Sequence, residues 1–105
     1  MIEHAEIRWY KFQQPDKKRP VLILTRNSII EYLNEVTIAP ITSTIRDIPT
    51  EVYLSEEYGM QKECVINLDH IQTVAKSKIG SLITKLSEEK MKEVKAALLF
   101  AFGFK

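Results

Sequence analysis

The apolar residues of this chain fall mainly into short runs that end at turn-forming residues, and this pattern limits the fold more than any other feature. The clearest run covers residues 21–24, follows Pro20 and is apolar at every position. A run that is apolar on both faces is typical of a central, covered strand, so we expect a strand over 21–25. Pro20 should stand at its start, because proline cannot donate to a strand ladder.

Other segments predict further strands on both sides of this one. They are EIRWYKF at 6–12, VTIAPIT at 36–42, EVYL at 51–54, CVINLDHIQTV at 64–74 and KIGSLITKL at 78–86. We expect the second to end near Pro40 and the fourth to bend near Asp69. For residues 26–35, a short helix capped at Asn27 or Ser28 is favoured over a wide loop.

One convincing helix is predicted, and it closes the chain. Ser87 is a suitable N-cap, and Glu88 and Glu89 follow in the first turn, where the helix dipole favours anions. Gly103 is expected to end the helix. Its apolar stripe consists of Met91, Val94, Leu98, Ala101 and Phe102.

These elements predict a mainly β fold with a C-terminal helix. Several short strands without an alternation of strand and helix indicate a small antiparallel barrel or sandwich. The 105 residues suit one domain, and no repeat, linker or low-complexity tract divides them. We therefore expect residues 1–105 to form a single domain.

Several function classes are excluded at this stage. Cys64 is the only cysteine, which rules out an intramolecular disulfide and fits a reducing cytoplasm. His4 and His70 lie far apart and outside any Cys/His spacing pattern, so we expect no metal site. Without a Gly-rich phosphate loop, we expect no nucleotide cofactor. Neither a signal peptide nor an apolar stretch of membrane-spanning length is visible, so we expect no membrane partner.

Cations crowd the strand at 21–24. The segment DKKRPVLILTRN at 16–27 carries four of them and one acid, although the net charge of the whole chain is only +1. Arg19 has two interpretations. It is either a charge that keeps an apolar strand from associating with neighbours, or a guanidinium held rigidly before Pro20 to contact an anion bidentately.

Polar residues near strand ends supply the other candidates for chemistry: Thr42, Ser43, Thr44, Arg46, Asp69, His70 and Gln72. The hydroxyl cluster at 42–44 is either a turn or a set of donors for a phosphoryl oxygen. His70 is either a half-buried structural ring or, with Asp69, an acid–base pair. Neighbouring residues of a strand point to opposite faces of the sheet. Asp69 and His70 would therefore line one site only if the strand bulges there. Trp9 packs in the core or an interface, or stacks on a base.

The order of three motifs resembles the MazF/PemK family of toxin endoribonucleases. RPVLIL at 19–24 is followed by VTIAPITSTIRDIPTEVYL at 36–54 and by GMQKECVINLDHIQTVAKSKIG at 59–80. The resemblance extends over about residues 5–104. It implies a compact SH3-like antiparallel barrel, a homodimer, and metal-independent cleavage of single-stranded RNA at a short recognition sequence. It also implies a cognate antitoxin whose disordered tail blocks the RNA groove.

The same resemblance suggests roles for individual residues. Arg19 and Thr42 match the family positions most firmly tied to cleavage, Ser43 matches a frequently polar neighbour, and Asp69 matches a late acidic position. We take Arg19, Thr42, Asp69 and His70 as catalytic candidates, and Lys17, Lys18, Ser43, Thr44, Arg46 and Gln72 as RNA-binding candidates.

Two features depart from the family pattern. Family members usually carry a longer, Gly-rich loop before the arginine, where this chain has only QQPDKK at 13–18. His70 stands where the family commonly has glutamine. The first departure is expected to alter base recognition or to leave the groove more open, and the second leaves the third catalytic role undecided.

The expected mechanism is attack by the RNA 2′-hydroxyl on the adjacent phosphorus. Arg19 would stabilise the developing charge, because a guanidinium is a poor base. Thr42 would bond a phosphoryl oxygen or orient the 2′-hydroxyl, and His70 or Asp69 would act as acid or base. The alternative is a non-catalytic, toxin-like binding module that acts on a protein target such as topoisomerase. A pure binder has no chemical need to place Arg19 beside Thr42.

Overall fold

The computed structural model describes residues 1–12 and 18–104. Seven strands occur in these residues: Glu6–Lys11 (β1), Lys18–Ile23 (β2), Glu35–Thr42 (β3), Glu51–Leu54 (β4), Cys64–Asn67 (β5), Gln72–Ala75 (β6) and Ile79–Lys85 (β7). The α-helices are Asn27–Ile30 (α1) and Glu88–Ala101 (α2). In the described part of the chain, no helix has the length and apolar character needed to cross a bilayer.

All strand pairs are antiparallel. Strand β3 is central, because it pairs with β2, β5 and β6. The order is β4-β5-β3-β2-β1-β7, with β6 paired to the first half of β3 and β5 to its second half. Among the described residues, the end strands β4 and β7 do not pair, so the sheet is not closed. The predicted mainly β class with a C-terminal helix is confirmed, as is the short helix in the middle of the chain.

Strand β2 lies between two apolar clusters. Leu22 belongs to the larger cluster, which includes residues of β3, β4, β5 and α2, whereas Val21 and Ile23 belong to the smaller one. All three side chains are fully buried, because successive residues of a strand point to opposite faces and both faces are covered here. The predicted central, covered strand is therefore confirmed.

Pro20 and Pro40 lie inside strands rather than at strand ends. Strand β2 begins at Lys18, earlier than predicted, and Pro20 stands opposite Trp9 of β1. The ladder with β3 starts only at Val21, so none of its bonds is lost at Pro20. Strand β3 likewise continues past Pro40 to Thr42.

A turn interrupts the segment that was predicted as one bent strand. A 3₁₀ helix at Leu68–His70 separates β5 from β6. The Asn67 side chain caps this turn by accepting the backbone N–H of Asp69 at 2.9 Å. The turn decides where Asp69 and His70 point, and the prediction of a continuous strand was wrong.

One predicted helix cap is confirmed and one is wrong. Ser87 Oγ accepts the N–H of Lys90 at 3.1 Å at the start of α2. Helix α1 begins after Arg26 without a side-chain cap. Asn27 is unavailable as a cap because its Oδ1 accepts the backbone N–H of His4 at 2.7 Å, a bond that fastens the N-terminal segment.

The larger cluster provides a test of the core. Leu54 of β4 is fully buried in it, so Leu54→Ala should lower the free energy of unfolding by about 2–5 kcal/mol. Leu82→Ala is the matched control, because Leu82 is 52% exposed and its loss should cost about 0.5 kcal/mol or less. Urea unfolding at one protein concentration measures both, and equal effects would contradict this packing.

Candidate functional site

The ends of β2 and β3 bring Arg19 and Thr42 together. The ladder between these strands ends with Val21 opposite Pro40, and Arg19 and Thr42 each lie two residues beyond that pair. Arg19 is exposed and Thr42 is half-buried. Both side chains line the same two depressions, one on each side of the strand ends. The arrangement of the two strand ends, rather than nearness in sequence, therefore brings Arg19 and Thr42 to the same surface.

The first depression, which we call the outer cleft, has a volume of about 350 Å³. It is lined by Phe12, Arg19, Pro40, Ile41, Thr42, Thr44, Arg46, Asn67 and His70. The cleft carries two guanidinium groups, and none of the described residues that line it has a carboxylate. An anion is the natural occupant of such a surface.

Arg46 is held at this cleft by the loop that precedes β4. Glu51 Oε1 accepts the backbone N–H groups of Arg46 at 2.9 Å and Asp47 at 3.1 Å. Its other oxygen lies 3.9 Å from the Arg46 guanidinium, whose side chain stays 58% exposed. The buried carboxylate thus fixes the loop and leaves the guanidinium accessible to a ligand.

Thr42 is oriented by its own turn. Its Oγ1 accepts the backbone N–H of Thr44 at 3.2 Å. Because the hydroxyl oxygen acts as acceptor in that bond, its hydrogen remains available for donation into the cleft. A phosphoryl oxygen near Arg19 is a suitable acceptor for it.

Asn67 controls the tautomer of His70. The Asn67 Nδ2 atom lies 3.3 Å from His70 Nδ1, and Asn67 Oδ1 is already bonded to the N–H of Asp69. The amide nitrogen must therefore face the ring, and since an amide nitrogen only donates, Nδ1 of the neutral imidazole must accept. The ring proton then sits on Nε2, which makes His70 a hydrogen-bond donor at that atom.

Asp69 takes a different direction from His70. Its Oδ2 accepts the Thr50 hydroxyl at 2.6 Å, and Asp69 does not line the outer cleft. The 3₁₀ turn thus brings His70 to the cleft with Arg19 and Thr42 while it ties Asp69 to the loop before β4.

The remaining predicted contacts divide into four groups. Thr44 and Arg46 line the outer cleft, and Lys18 and Ser43 line the second depression. Gln72 is exposed on β6 opposite Ile38 and lines neither depression. Lys17 lies outside the described residues.

The second depression, which we call the inner pocket, has a volume of about 210 Å³. Its lining comprises Trp9, Lys18, Arg19, Pro20, Ile41, Thr42, Ser43, Met60, Gln61, Lys62, Cys64 and Ile83. Cys64 is 5% exposed and belongs to the larger core cluster. Burial raises the pKa of the Cys64 thiol, and the Lys62 ammonium opposes this rise.

Comparison with known proteins identifies the family. A family model described as the PemK-like, MazF-like toxin of type II toxin-antitoxin systems matches residues 3–102. The chain belongs to this family. The curated relative named Endoribonuclease MazF3, from Mycobacterium tuberculosis, is 43% identical over 70 residues, which are 67% of this chain and 68% of the relative.

Solved structures agree with the fold of this MazF-like toxin. The Mycobacterium tuberculosis toxin MazF-mt6 is 34% identical and superposes with a TM-score of 0.87 over 95% of this chain and 98% of the other. A mycobacterial endoribonuclease in complex with its cognate antitoxin gives a TM-score of 0.86 over 100% of this chain and 98% of the other, at 22% identity. The second likeness shows the fold alone.

Some residues of this toxin's site were missed by sequence reasoning. Asn67 was treated only as part of a strand, although an asparagine that ends an apolar run is a common turn and cap residue. The loop residues Met60, Gln61 and Lys62 carried no signal, because only the packing of their loop against β1, β3 and β7 makes them part of a pocket.

Proposed function

We propose that this MazF-like toxin is an endoribonuclease that cleaves single-stranded RNA at the outer cleft without a metal ion. The observation that carries the proposal is the meeting of Arg19, Thr42 and His70 in one cation-lined cleft. The relative named Endoribonuclease MazF3 supports the same activity. We also propose that residues 1–105 form one domain and that the toxin acts in the cytoplasm.

The chemistry follows from the nucleophile that RNA carries. The 2′-hydroxyl oxygen forms a bond to the adjacent phosphorus while the bond from phosphorus to the 5′-oxygen breaks in line. The products are a 2′,3′-cyclic phosphate and a 5′-hydroxyl. The cleft must therefore hold the backbone in this geometry and stabilise a phosphorane whose oxygens carry extra negative charge.

Three of the cleft residues act directly in this step. Arg19 binds two phosphoryl oxygens with its parallel N–H groups, and Thr42 donates its hydroxyl hydrogen to the phosphorane. His70 donates a hydrogen bond from Nε2–H to the departing 5′-oxygen without transferring the proton, the role that its bond to Asn67 favours. The proton of the 2′-hydroxyl passes to solvent, and the 5′-oxygen is protonated from solvent.

We propose that four further residues contact the RNA strand on either side of the scissile phosphate, since they line the two depressions that share Arg19. They are Lys18, Ser43, Thr44 and Arg46. Their cations would attract the polyanion over a distance of about 10 Å at moderate salt. For Asp69, the structure supports a positioning role through Thr50. Lys17 remains a predicted contact.

A disordered tail of the cognate antitoxin is proposed to occupy the outer cleft and to exclude RNA. A solved neighbour of this fold is an endoribonuclease bound to its cognate antitoxin. Acidic side chains of such a tail would meet Arg19 and Arg46 in place of phosphates.

Expression in a bacterial host tests the activity. Induction of the toxin should arrest growth and generate new RNA 5′ ends by primer extension, and Arg19→Ala should do neither. The alternative function, binding to a protein target such as topoisomerase, predicts growth arrest without new RNA ends. That outcome would overturn the proposal.

We also propose that the toxin is a homodimer, based on a second surface that shares no lining residue with the outer cleft. A broad depression of about 1480 Å³ is lined in part by Leu24, Ile29, Leu33, Ile71 and Leu98. Phe102 follows Leu98 by one helical turn and is 56% exposed, so it extends the same face of α2. Polar and charged residues, among them Arg26 and Lys76, complete the lining, and apolar side chains ringed by polar ones are typical of an interface.

The dimer can be tested at Leu98. For an interface anchor worth about 2 kcal/mol, Leu98→Lys should raise the dimer dissociation constant about 30-fold. Leu82→Lys is the control, because Leu82 is exposed on β7 and does not line this depression. Sedimentation equilibrium, with circular dichroism melts to verify folding, measures both. If Leu82→Lys dissociates the dimer and Leu98→Lys does not, the proposed face is wrong.

A further inference from the structure

We propose that Glu51 is a positioning residue of the outer cleft, which holds Arg46 ready for an RNA phosphate and competes with that phosphate for the charge of Arg46. This inference rests on the proposed nuclease function and adds to it a residue that sets the affinity for RNA. Glu51 does not line the outer cleft, whereas Arg46 does. Glu51 therefore acts through Arg46 and not by contact with the substrate.

The loop at 43–50 carries Arg46 and connects two parts of the outer cleft. It begins after Thr42 of β3 and ends at Thr50, whose hydroxyl is bonded to the 3₁₀ turn that carries His70. The described structure has neither helix nor strand at 43–50, so no regular hydrogen-bond ladder fixes this stretch. Side-chain bonds must therefore hold Arg46 in place.

The Glu51 carboxylate occupies a small anion site formed by the backbone of this loop. Its Oε1 accepts the successive N–H groups of Arg46 and Asp47, at 2.9 and 3.1 Å. Asp47 is in the left-handed region, with φ 57°, and successive N–H groups in such a bend converge on an anion. The carboxylate thus stabilises the bend that presents Arg46.

Glu51 is itself held by the sheet. It is the first residue of β4 and stands opposite Asn67 of β5, and its backbone N–H donates to the Ile48 carbonyl at 2.9 Å. Its side chain is only 2% exposed. Because Asn67 also bonds the ring of His70, one rung of the sheet fixes both Arg46 and His70.

The second carboxylate oxygen of Glu51 accounts for the competition. Oε2 is buried, has no hydrogen-bond partner among the described residues, and lies 3.9 Å from Nη1 of Arg46. This distance is too long for a hydrogen bond, so the two groups attract each other mainly through their charges. The guanidinium can turn its donors to a phosphate, but the attraction it gains there is offset by the attraction to Glu51 that it loses.

Two substitutions of Glu51 should change RNA binding in opposite directions. Glu51→Gln keeps an oxygen that accepts both N–H groups but removes the charge, so the dissociation constant should fall by about two- to fivefold, as expected for one exposed ion pair. Glu51→Ala removes both bonds, so the loop must be ordered on binding and the dissociation constant should rise by at least about fivefold. Fluorescence anisotropy with a labelled single strand measures both variants. The strand has mixed sequence, since phosphate contacts do not depend on base identity, and 2′-O-methyl groups throughout, which remove the attacking hydroxyl.

Asp47→Asn and Arg46→Ala are the controls for the competition. Asp47→Asn removes a negative charge from the same loop, keeps the backbone N–H that Glu51 accepts, and places asparagine in a left-handed conformation that it tolerates. It should tighten binding by a smaller factor than Glu51→Gln does. In an Arg46→Ala background, Glu51→Gln should leave the dissociation constant within about 1.5-fold, because the paired cation is gone.

Hydrogen exchange of the backbone amides of Arg46 and Asp47 tests the positioning directly. Both amides should exchange at least about tenfold faster in Glu51→Ala than in the wild type, and at nearly the wild-type rate in Glu51→Gln. The amide of Leu22, in the covered strand β2, shows whether the variants remain folded. Unchanged exchange of Arg46 and Asp47 in a folded Glu51→Ala variant would contradict the positioning role.

The inference is overturned if Glu51→Gln and Glu51→Ala shift the dissociation constant in the same direction. It is also overturned if the gain from Glu51→Gln persists without Arg46, or if Asp47→Asn gives an equal gain. A wild-type toxin that binds the probe while the variants fail to differ contradicts this inference alone. A wild-type toxin that does not bind the probe contradicts the proposed function as well.

Discussion

Arg19→Ala is expected to lower the rate of RNA cleavage by about 100- to 1,000-fold, because it removes a fixed donor to the developing phosphorane charge. The guanidinium lies at the exposed end of β2, outside the two apolar clusters, so its loss should leave the thermal melt nearly unchanged. Single-turnover cleavage of a labelled oligonucleotide measures the rate, and circular dichroism measures the fold.

Arg19→Lys separates charge from geometry. Lysine keeps the positive charge but not the two parallel donors, so its rate should lie between those of the wild type and Arg19→Ala. If the purified Arg19→Ala variant cleaves at the wild-type rate, the phosphate does not bind at this residue and the proposed mechanism fails.

The second large effect is expected at His70. The ring donates a hydrogen bond from Nε2 because Asn67 fixes its tautomer. A side chain that donates a hydrogen bond but does not transfer a proton should therefore be able to replace it. His70→Ala should lose about 100-fold in the cleavage rate, whereas His70→Gln should stay within about tenfold of the wild type. Glutamine is also the residue that the family commonly has at this position.

The outcome at His70 distinguishes two mechanisms. If His70→Gln is as slow as His70→Ala, then the ring transfers a proton and the donor role derived from Asn67 is wrong. The ¹⁵N chemical shifts of the imidazole provide an independent check, since they report which ring nitrogen carries the proton. A proton on Nδ1 in the neutral ring would contradict the assignment.

Local features, such as a covered strand or the start of a helix, could be predicted well where the local side chains determine them. The run at 21–24 indicated a covered strand because each of its faces is apolar, and Ser87 indicated a helix start because its hydroxyl can accept a free backbone N–H. The pairing of Arg19 with Thr42 came from the family resemblance, and the register of β2 and β3 is consistent with it.

Features that depend on contacts between distant segments could not be predicted. The 3₁₀ turn after Asn67 separates Asp69 from His70, and its anchor is the Thr50 hydroxyl, nineteen residues earlier in the chain. The inner pocket combines Trp9 of β1, Met60 of a loop and Ile83 of β7, so nothing in any one segment marks it. Such sites appear only once the packing of the strands is known.

Incubation of the pure toxin with a long RNA in the presence of a chelator tests the central claim most directly. Both new ends are then analysed chemically, with Arg19→Ala as the control. The account predicts cuts at a short recurring sequence that leave a 2′,3′-cyclic phosphate and a 5′-hydroxyl, with cutting by Arg19→Ala slower by at least about 100-fold. New ends that carry a 5′-phosphate, or cutting that stops when the chelator is added, would contradict it.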